Sequence, residues 1–241
     1  MMSGRIVLVC FILVISSVLT GCASSDLHSS VGGGNALIPM PAGIKERYEF
    51  PTEVSEIESL TAELNAGVNS QDPRVRSLAQ RIVQGDGEGS HDIMAVQAIY
   101  SYVQSNWTYV EESEKFAQIS SAPEIIERGL RGGSLDYSIV MASLLEAAGF
   151  KARIVFGCDL NEGICRACPE VFVGTEEEAK QILVGLSETF QDRIYYTHDP
   201  EGGYWLSLDL GGEHIGGKPS IDRVYLIVYP VEKRWEVVTG G

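Results

Sequence analysis

Positive charge is scarce in this sequence: 18 lysines and arginines stand against 33 aspartates and glutamates, a formal net charge of −15 over 241 residues. Such a chain offers no electrostatic footprint for a polyanion, which excludes nucleic acid as a partner, and no polybasic segment to hold an anionic lipid surface. Histidine is rarer still, with four in all. There is no His-Glu-x-x-His pair, no P-loop and no Gly-x-Ser-x-Gly elbow, so the chemistries that depend on those motifs lack their residues, and no cofactor or metal is implied. The doubled glycines at 202–203, 211–212 and 216–217 lie between strand-like runs. They read as turns, not as phosphate loops. The apolar run from Ile6 to Leu19 is too short to span a bilayer comfortably.

What is there begins with that run. It follows Arg5 and ends Leu19-Thr20-Gly21-Cys22, which resembles a lipoprotein signal. The resemblance implies cleavage before Cys22 and a lipid on its thiol, hence an extracytoplasmic protein anchored to the membrane through Cys22. Residues 1–21 are then signal peptide. Residues 22–45 are the lipidated cysteine with a flexible Ser/Gly-rich tether, and 46–241 form the folded domain. Removing 1–21 takes away a single charge, Arg5, and leaves −16.

With Cys10 lost and Cys22 lipidated, Cys158, Cys165 and Cys168 remain within eleven residues. Outside the cytoplasm a disulfide with one odd thiol is the default. Three free thiols and a metal site stay open, although structural zinc wants four ligands.

A hydrophobic content of 44% suits a packed core. After a short segment with Ile57, Leu60 and Leu64, a helix opens at Asp72-Pro73, with Val75, Leu78, Ala79, Ile82 and Val83 at helical spacing. A second follows Ser90 and carries Ile93, Val96, Ile99, Tyr100 and Val103; His91 in its first turn reads as a solvated residue. Trp107 to Val110 reads as a short strand, and the sequon at Asn106 carries no weight. Ser121-Ala122-Pro123 opens a short helix. From Arg131 to Phe150 runs Arg-Gly-Gly-Ser-Leu-Asp-Tyr and then an almost wholly apolar helix that Gly149 stops. Ser134 stands at its start, as an N-cap or as a group presented to the positive end of the helix dipole. Strands follow at Lys151–Gly157, with Ala152, Ile154 and Phe156 on one face, and at Pro169–Gly174. Thr175 and Glu178 form a capping box for a helix with Ala179, Ile182, Leu183, Leu186 and Phe190. Further strand-like runs lie at Tyr195-Tyr196, Tyr204–Leu208, Val224–Tyr229 and Trp235–Val238. Helices first and strands later imply an α+β domain, a buried central helix packed against an antiparallel sheet.

Gly133-Ser134-Leu135-Asp136-Tyr137, Ala142-Ser143-Leu144-Leu145 and Gly149-Phe150-Lys151-Ala152-Arg153 resemble the core of the transglutaminase-like superfamily, whose fold is papain-like. The resemblance covers about Val75 to Gly217. In that family the pattern is Gly-x-Cys-x-Asp-Tyr, then a His-Ala-x-x-Glu-Val strand, then a Trp-x-x-Leu-Asp strand, which together carry a Cys-His-Asp triad. Here Ala167 to Gly174 fits the second motif and Trp205 to Asp209 the third. The family's cysteine falls on Ser134, its histidine on Arg166 and its aspartate on Asp209, so only Asp209 keeps its identity.

A serine hydroxyl at a helix terminus needs a base, and a guanidinium with a pKa above about 12 is not one. Arg166 and Asp209 are expected to pair as ions in place of the His–Asp contact. His198 or His214, which flank the Asp209 strand, could alternatively serve Ser134; Cys168 is a weaker nucleophile, placed on a strand. Two functions follow as expectations. One is a degenerate module that binds a peptide, a protein or another cell-envelope component. The other is an active acyl-transfer enzyme with residue 134 as nucleophile, acting as a protease, deamidase or crosslinker. A purely structural role in an envelope assembly is a third.

Overall fold

The structure, a computed structural model, describes residue 51 and residues 53–84, 93–110 and 119–238. The expected signal, Cys22, the tether and His91 lie outside the described residues. In chain order the elements are α1 (Val54–Gly67), α2 (Pro73–Gln84), α3 (Ile93–Asn106), β1 (Thr108–Tyr109), α4 (Ala122–Glu127), β2 (Arg131–Gly132) and α5 (Ser134–Ala147). Then come β3 (Ala152–Asp159), β4 (Ile164–Thr175), α6 (Glu176–Phe190), β5 (Tyr196–His198), β6 (Gly203–Ser207), β7 (Arg223–Tyr229) and β8 (Arg234–Val237). Five helices precede the strands of the main sheet, and α6 falls between its β4 and β5. The segment around Ile57 is a full helix. Among the described residues no helix is long and apolar enough to cross a membrane.

Six strands form one sheet in the order β5-β6-β4-β3-β7-β8, every neighbouring pair antiparallel. Alternation along β3 puts Ala152, Ile154, Phe156 and Cys158 on the face that meets the helices, with Cys165, Ala167 and Val171 of β4 beside them. α5 lies against that face. Apart from Asp136, every residue from Ser134 to Leu145 is buried, which is what a helix without a polar side must achieve. Its interior hydroxyls are satisfied within the helix, Ser138 Oγ donating to the Ser134 carbonyl at 2.8 Å and Ser143 Oγ to that of Ile139 at 2.7 Å. Gly149 ends it with φ +91°, in the left-handed region that favours glycine. The boxes Ser121/Glu124 and Thr175/Glu178 open α4 and α6.

β4 starts at Ile164, well before Pro169, because it pairs with β3 along the whole hairpin. Cys158 and Cys165 face each other there and are joined as a disulfide, and Cys168 is the odd, buried thiol. Of the three alternatives left open for these cysteines, the disulfide is the one formed.

The other sheet face is built on a buried cation. Arg153 is 0% exposed. Its Nε donates to Glu170 Oε2 at 2.7 Å, Nη1 to Tyr229 Oη at 3.0 Å and Nη2 to Thr197 Oγ1 at 2.6 Å, while the guanidinium stacks 4.3 Å from the Trp205 ring centroid. One side chain thereby joins β3, β4, β5, β6 and β7. Removing one member of such a pair strands the other charge in the core. Arg153→Met is therefore expected to lose about 3–5 kcal/mol of unfolding free energy in urea titration, and Arg153→Met combined with Glu170→Met less than that.

Candidate functional site

The site forms where β6 leaves β4. Leu208 N–H donates to the Pro169 carbonyl at 3.0 Å, but Pro169 has no N–H to return, so the ladder ends there. Two residues earlier on the same edge, the Ala167 N–H finds a different acceptor: Ser134 Oγ at 3.3 Å. The start of α5 thus fills the gap that the departing strand leaves. Ser134 is the first helical residue and not the cap. Gly133 is the N-cap, in extended conformation. The serine is 5% exposed.

Short segments hold the approach to Ser134. β1 and β2 pair in parallel, Thr108 beside Arg131 and Tyr109 beside Gly132, and the Gly132 carbonyl accepts from Val110 N–H at 3.0 Å and from the Trp107 indole at 3.2 Å. A Cβ on Gly132 would lie 2.1 Å from Asp136 Oδ2, so the turn into α5 requires glycine. Arg128 binds the pieces together by donating to the Arg131 carbonyl, to Ser120 Oγ and to Asp136 Oδ2.

Asp209 faces the cleft from just past β6 and is 6% exposed. Its Oδ1 accepts from Gly211 N–H at 2.8 Å, and its Oδ2 from Ser220 N–H and Ser220 Oγ, each at 2.7 Å. The expected ion pair with Arg166 is not formed. The Arg166 guanidinium donates instead to the Ser220 carbonyl at 3.2 Å and to Glu162 Oε2 at 3.4 Å. Three donors already meet the needs of the buried carboxylate, and Ser220 stands between it and the cation. From the helix side, Tyr100 Oη lies 2.7 Å from the Gly212 carbonyl and 3.1 Å from that of Asp209, with Gln104 donating to Tyr100. Burial, then the Asp209 charge, push the Tyr100 hydroxyl far above its ordinary pKa.

The two described histidines are committed elsewhere. His214 is buried against Phe190, their rings stacked at 4.3 Å, with Nδ1 2.9 Å from the Ile215 carbonyl and Nε2 3.2 Å from Asp192 Oδ2. The Arg193 N–H, and after it the His214 contact, lower the Asp192 carboxyl. His198 is exposed and pairs with Tyr204, at the end of β6 remote from Ser207 and Asp209. The partners of these rings are Phe190, Ile215, Asp192 and Tyr204, which weighs against either of them serving Ser134.

Cys168 lies opposite this region on β4, its Sγ 3.8 Å from Ser207 Oγ. Burial, with the Asp209 and Glu170 charges adding to it, holds the thiol well above its ordinary pKa, the reverse of what a nucleophile needs.

Ser134 Oγ thus meets the β4 edge at Ala167, while Arg166 and Asp209 are joined through Ser220. Sequence reasoning missed Ser220, Tyr100 and Gln104, which hold Asp209 and its turn. Ser220 carries no pattern of its own, and Tyr100 reads as one more apolar residue of α3.

The transglutaminase-like superfamily profile matches residues 76–209, ending on Asp209. This chain belongs to that superfamily, and its helices with an antiparallel sheet have the papain-like α+β form. Among solved structures it is similar to a candidate cysteine protease from Cytophaga hutchinsonii, 24% identical over 42% of this chain and 34% of that one, TM-score 0.36. It is also similar to calcium-bound LapG from Legionella pneumophila, 14% identical over 76% of this chain and 88% of that one, TM-score 0.46. The first likeness spans about a third of the Cytophaga chain. No curated protein matches.

Iodoacetamide is expected to leave Cys168 unmodified in the folded protein and to alkylate it in urea, as read by peptide mass spectrometry; rapid alkylation of the native protein would contradict the buried, un-ionised thiol.

Proposed function

We propose that this is a transglutaminase-like binding module, tethered outside the cytoplasm by a lipid on Cys22, whose cleft grips a peptide or another cell-envelope component without cleaving it. The observation that carries the reading is the disposition of Asp209. Its carboxylate is spent on Ser220 and Gly211, and the position that aligns with the family's base holds a guanidinium turned to the Ser220 carbonyl. Acyl transfer through a serine requires a group that takes the hydroxyl proton and returns it to the leaving amine. A permanently charged guanidinium does neither.

The Leu19-Thr20-Gly21-Cys22 ending supports export and lipid attachment. The Cys158–Cys165 disulfide supports an oxidising compartment.

A fluorophosphonate probe is expected to leave Ser134 unlabelled; stoichiometric labelling there, blocked by Ser134→Ala, would overturn the non-catalytic reading. Restoring the thiol and imidazole tests whether the cleft retains the family's layout. Ser134→Cys with Arg166→His is expected to give a residue-134 thiol whose alkylation rate titrates below the ordinary pKa of about 8.5. An ordinary thiol pKa in that double variant would show the register assigned to these positions to be wrong.

A further inference from the structure

A chain of net charge −15 nevertheless places cations on β2, which leads into Ser134, on β4, and on the loop that holds Asp209. Arg131, in β2, precedes Ser134 by three residues; it is exposed, and its side chain has no hydrogen bond or ion pair among the described residues. Arg166 is the strand neighbour of Ala167, whose N–H reaches Ser134. Lys218 stands two residues before Ser220, which binds Asp209 through its N–H and hydroxyl and takes Arg166 on its carbonyl. It too is exposed and unpaired among the described residues.

Arg166 is the most informative of the three. Its side chain is 26% exposed. Its contacts at 3.2 Å and 3.4 Å are longer than the roughly 2.7–2.9 Å of a charge-assisted hydrogen bond, and they leave most of its five N–H donors unused. The nearest anions differ in availability. Asp159 is committed to the hairpin turn, its Oδ1 accepting from Asn161 and Glu162 N–H at 2.8 Å and 2.9 Å. Those N–H groups lower its carboxyl, Glu162 first, with Arg166 and Lys218 adding their charge, which puts both cations within its field. Glu162, 57% exposed, is the only carboxylate among the described residues that pairs with Arg166, and it does so loosely.

Building on the binding-module reading, we infer that the ligand of this cleft is an acidic peptide, whose carboxylate takes the unused donors of Arg166 and displaces Glu162, with Arg131 and Lys218 flanking it. The change from imidazole to guanidinium at position 166 then exchanges proton transfer for fixed-charge recognition, since guanidinium matches the planar geometry of a carboxylate. Glu162 acts as a built-in competitor.

The test uses the full chain in detergent and fluorescence anisotropy with two peptides carrying a neutral dye, hexaglutamate and hexaglutamine. Hexaglutamate is expected to bind at least about ten-fold more tightly. Arg166→Gln should weaken it about ten-fold, within the range for hydrogen bonds to charged groups. Arg131→Gln and Lys218→Gln should each weaken it about two- to five-fold, as exposed pairs do. Glu162→Gln should tighten it, an outcome that a structural role for the Arg166–Glu162 contact does not produce. Equal binding of the two peptides, weaker binding by Glu162→Gln, or an equal loss from Lys180→Gln on α6 would overturn the inference. Those results would leave the non-catalytic reading standing, whereas fluorophosphonate labelling of Ser134 strikes that reading and not the preference for acidic peptides.

Discussion

Burial of α5 on all sides is the constraint from which the rest of this structure follows. A helix with no polar face has to be enclosed, so the sheet covers one side of it and α2, α3 and α4 pack against the remainder. Enclosure makes its N-terminus the one place where a polar group on the helix can meet the strand edges. The first backbone groups of a helix need partners, and the strand edge needs an acceptor where Pro169 and the departing β6 leave it open. Ser134 Oγ on Ala167 N–H meets the second requirement. The juxtaposition of the α5 start and the β4 edge is therefore a by-product of enclosing the helix.

What such a cleft can do depends on proton affinity. A thiol at a helix terminus lies within a modest shift of ionising at neutral pH, and a neighbouring imidazole exchanges protons in the same range. Hydroxyl and guanidinium both lie far outside it. A hydroxyl at 134 and a guanidinium at 166 can both donate hydrogen bonds, but neither exchanges a proton readily at neutral pH, and the guanidinium carries a permanent positive charge.

Much of the fold could be read from the chain because its signals are local. The apolar run between Gly133 and Gly149, the alternation at Ala152, Ile154 and Phe156, and the Thr175/Glu178 box each act within a few residues, and each forms the element it implies. The disulfide was legible only as one of three alternatives, since choosing Cys165 over Cys168 depends on strand register: Cys158 and Cys165 stand directly opposite on the hairpin. By motif the chain points to Ser134, Arg166 and Asp209, but the partner of Asp209 could not be read from it. An Arg–Asp pair is the natural guess from charge alone. The loop from Gly211 to Ser220 reaches the carboxylate first, and no sequence period encodes where a glycine-rich loop returns.

That loop also explains how an aspartate is accommodated at position 209. A carboxylate 6% exposed is costly unless donors surround it. Ser220 supplies an N–H and an O–H, Gly211 a third donor, and the turn they close is clamped from α3 by Tyr100 and Gln104. Asp209 thus organises the β6–β7 loop, which carries Lys218 and Ser220 to the cleft beside Arg166. Asp209 here holds a loop in place. Selection on stability alone would keep it, so its presence by itself argues nothing for catalysis.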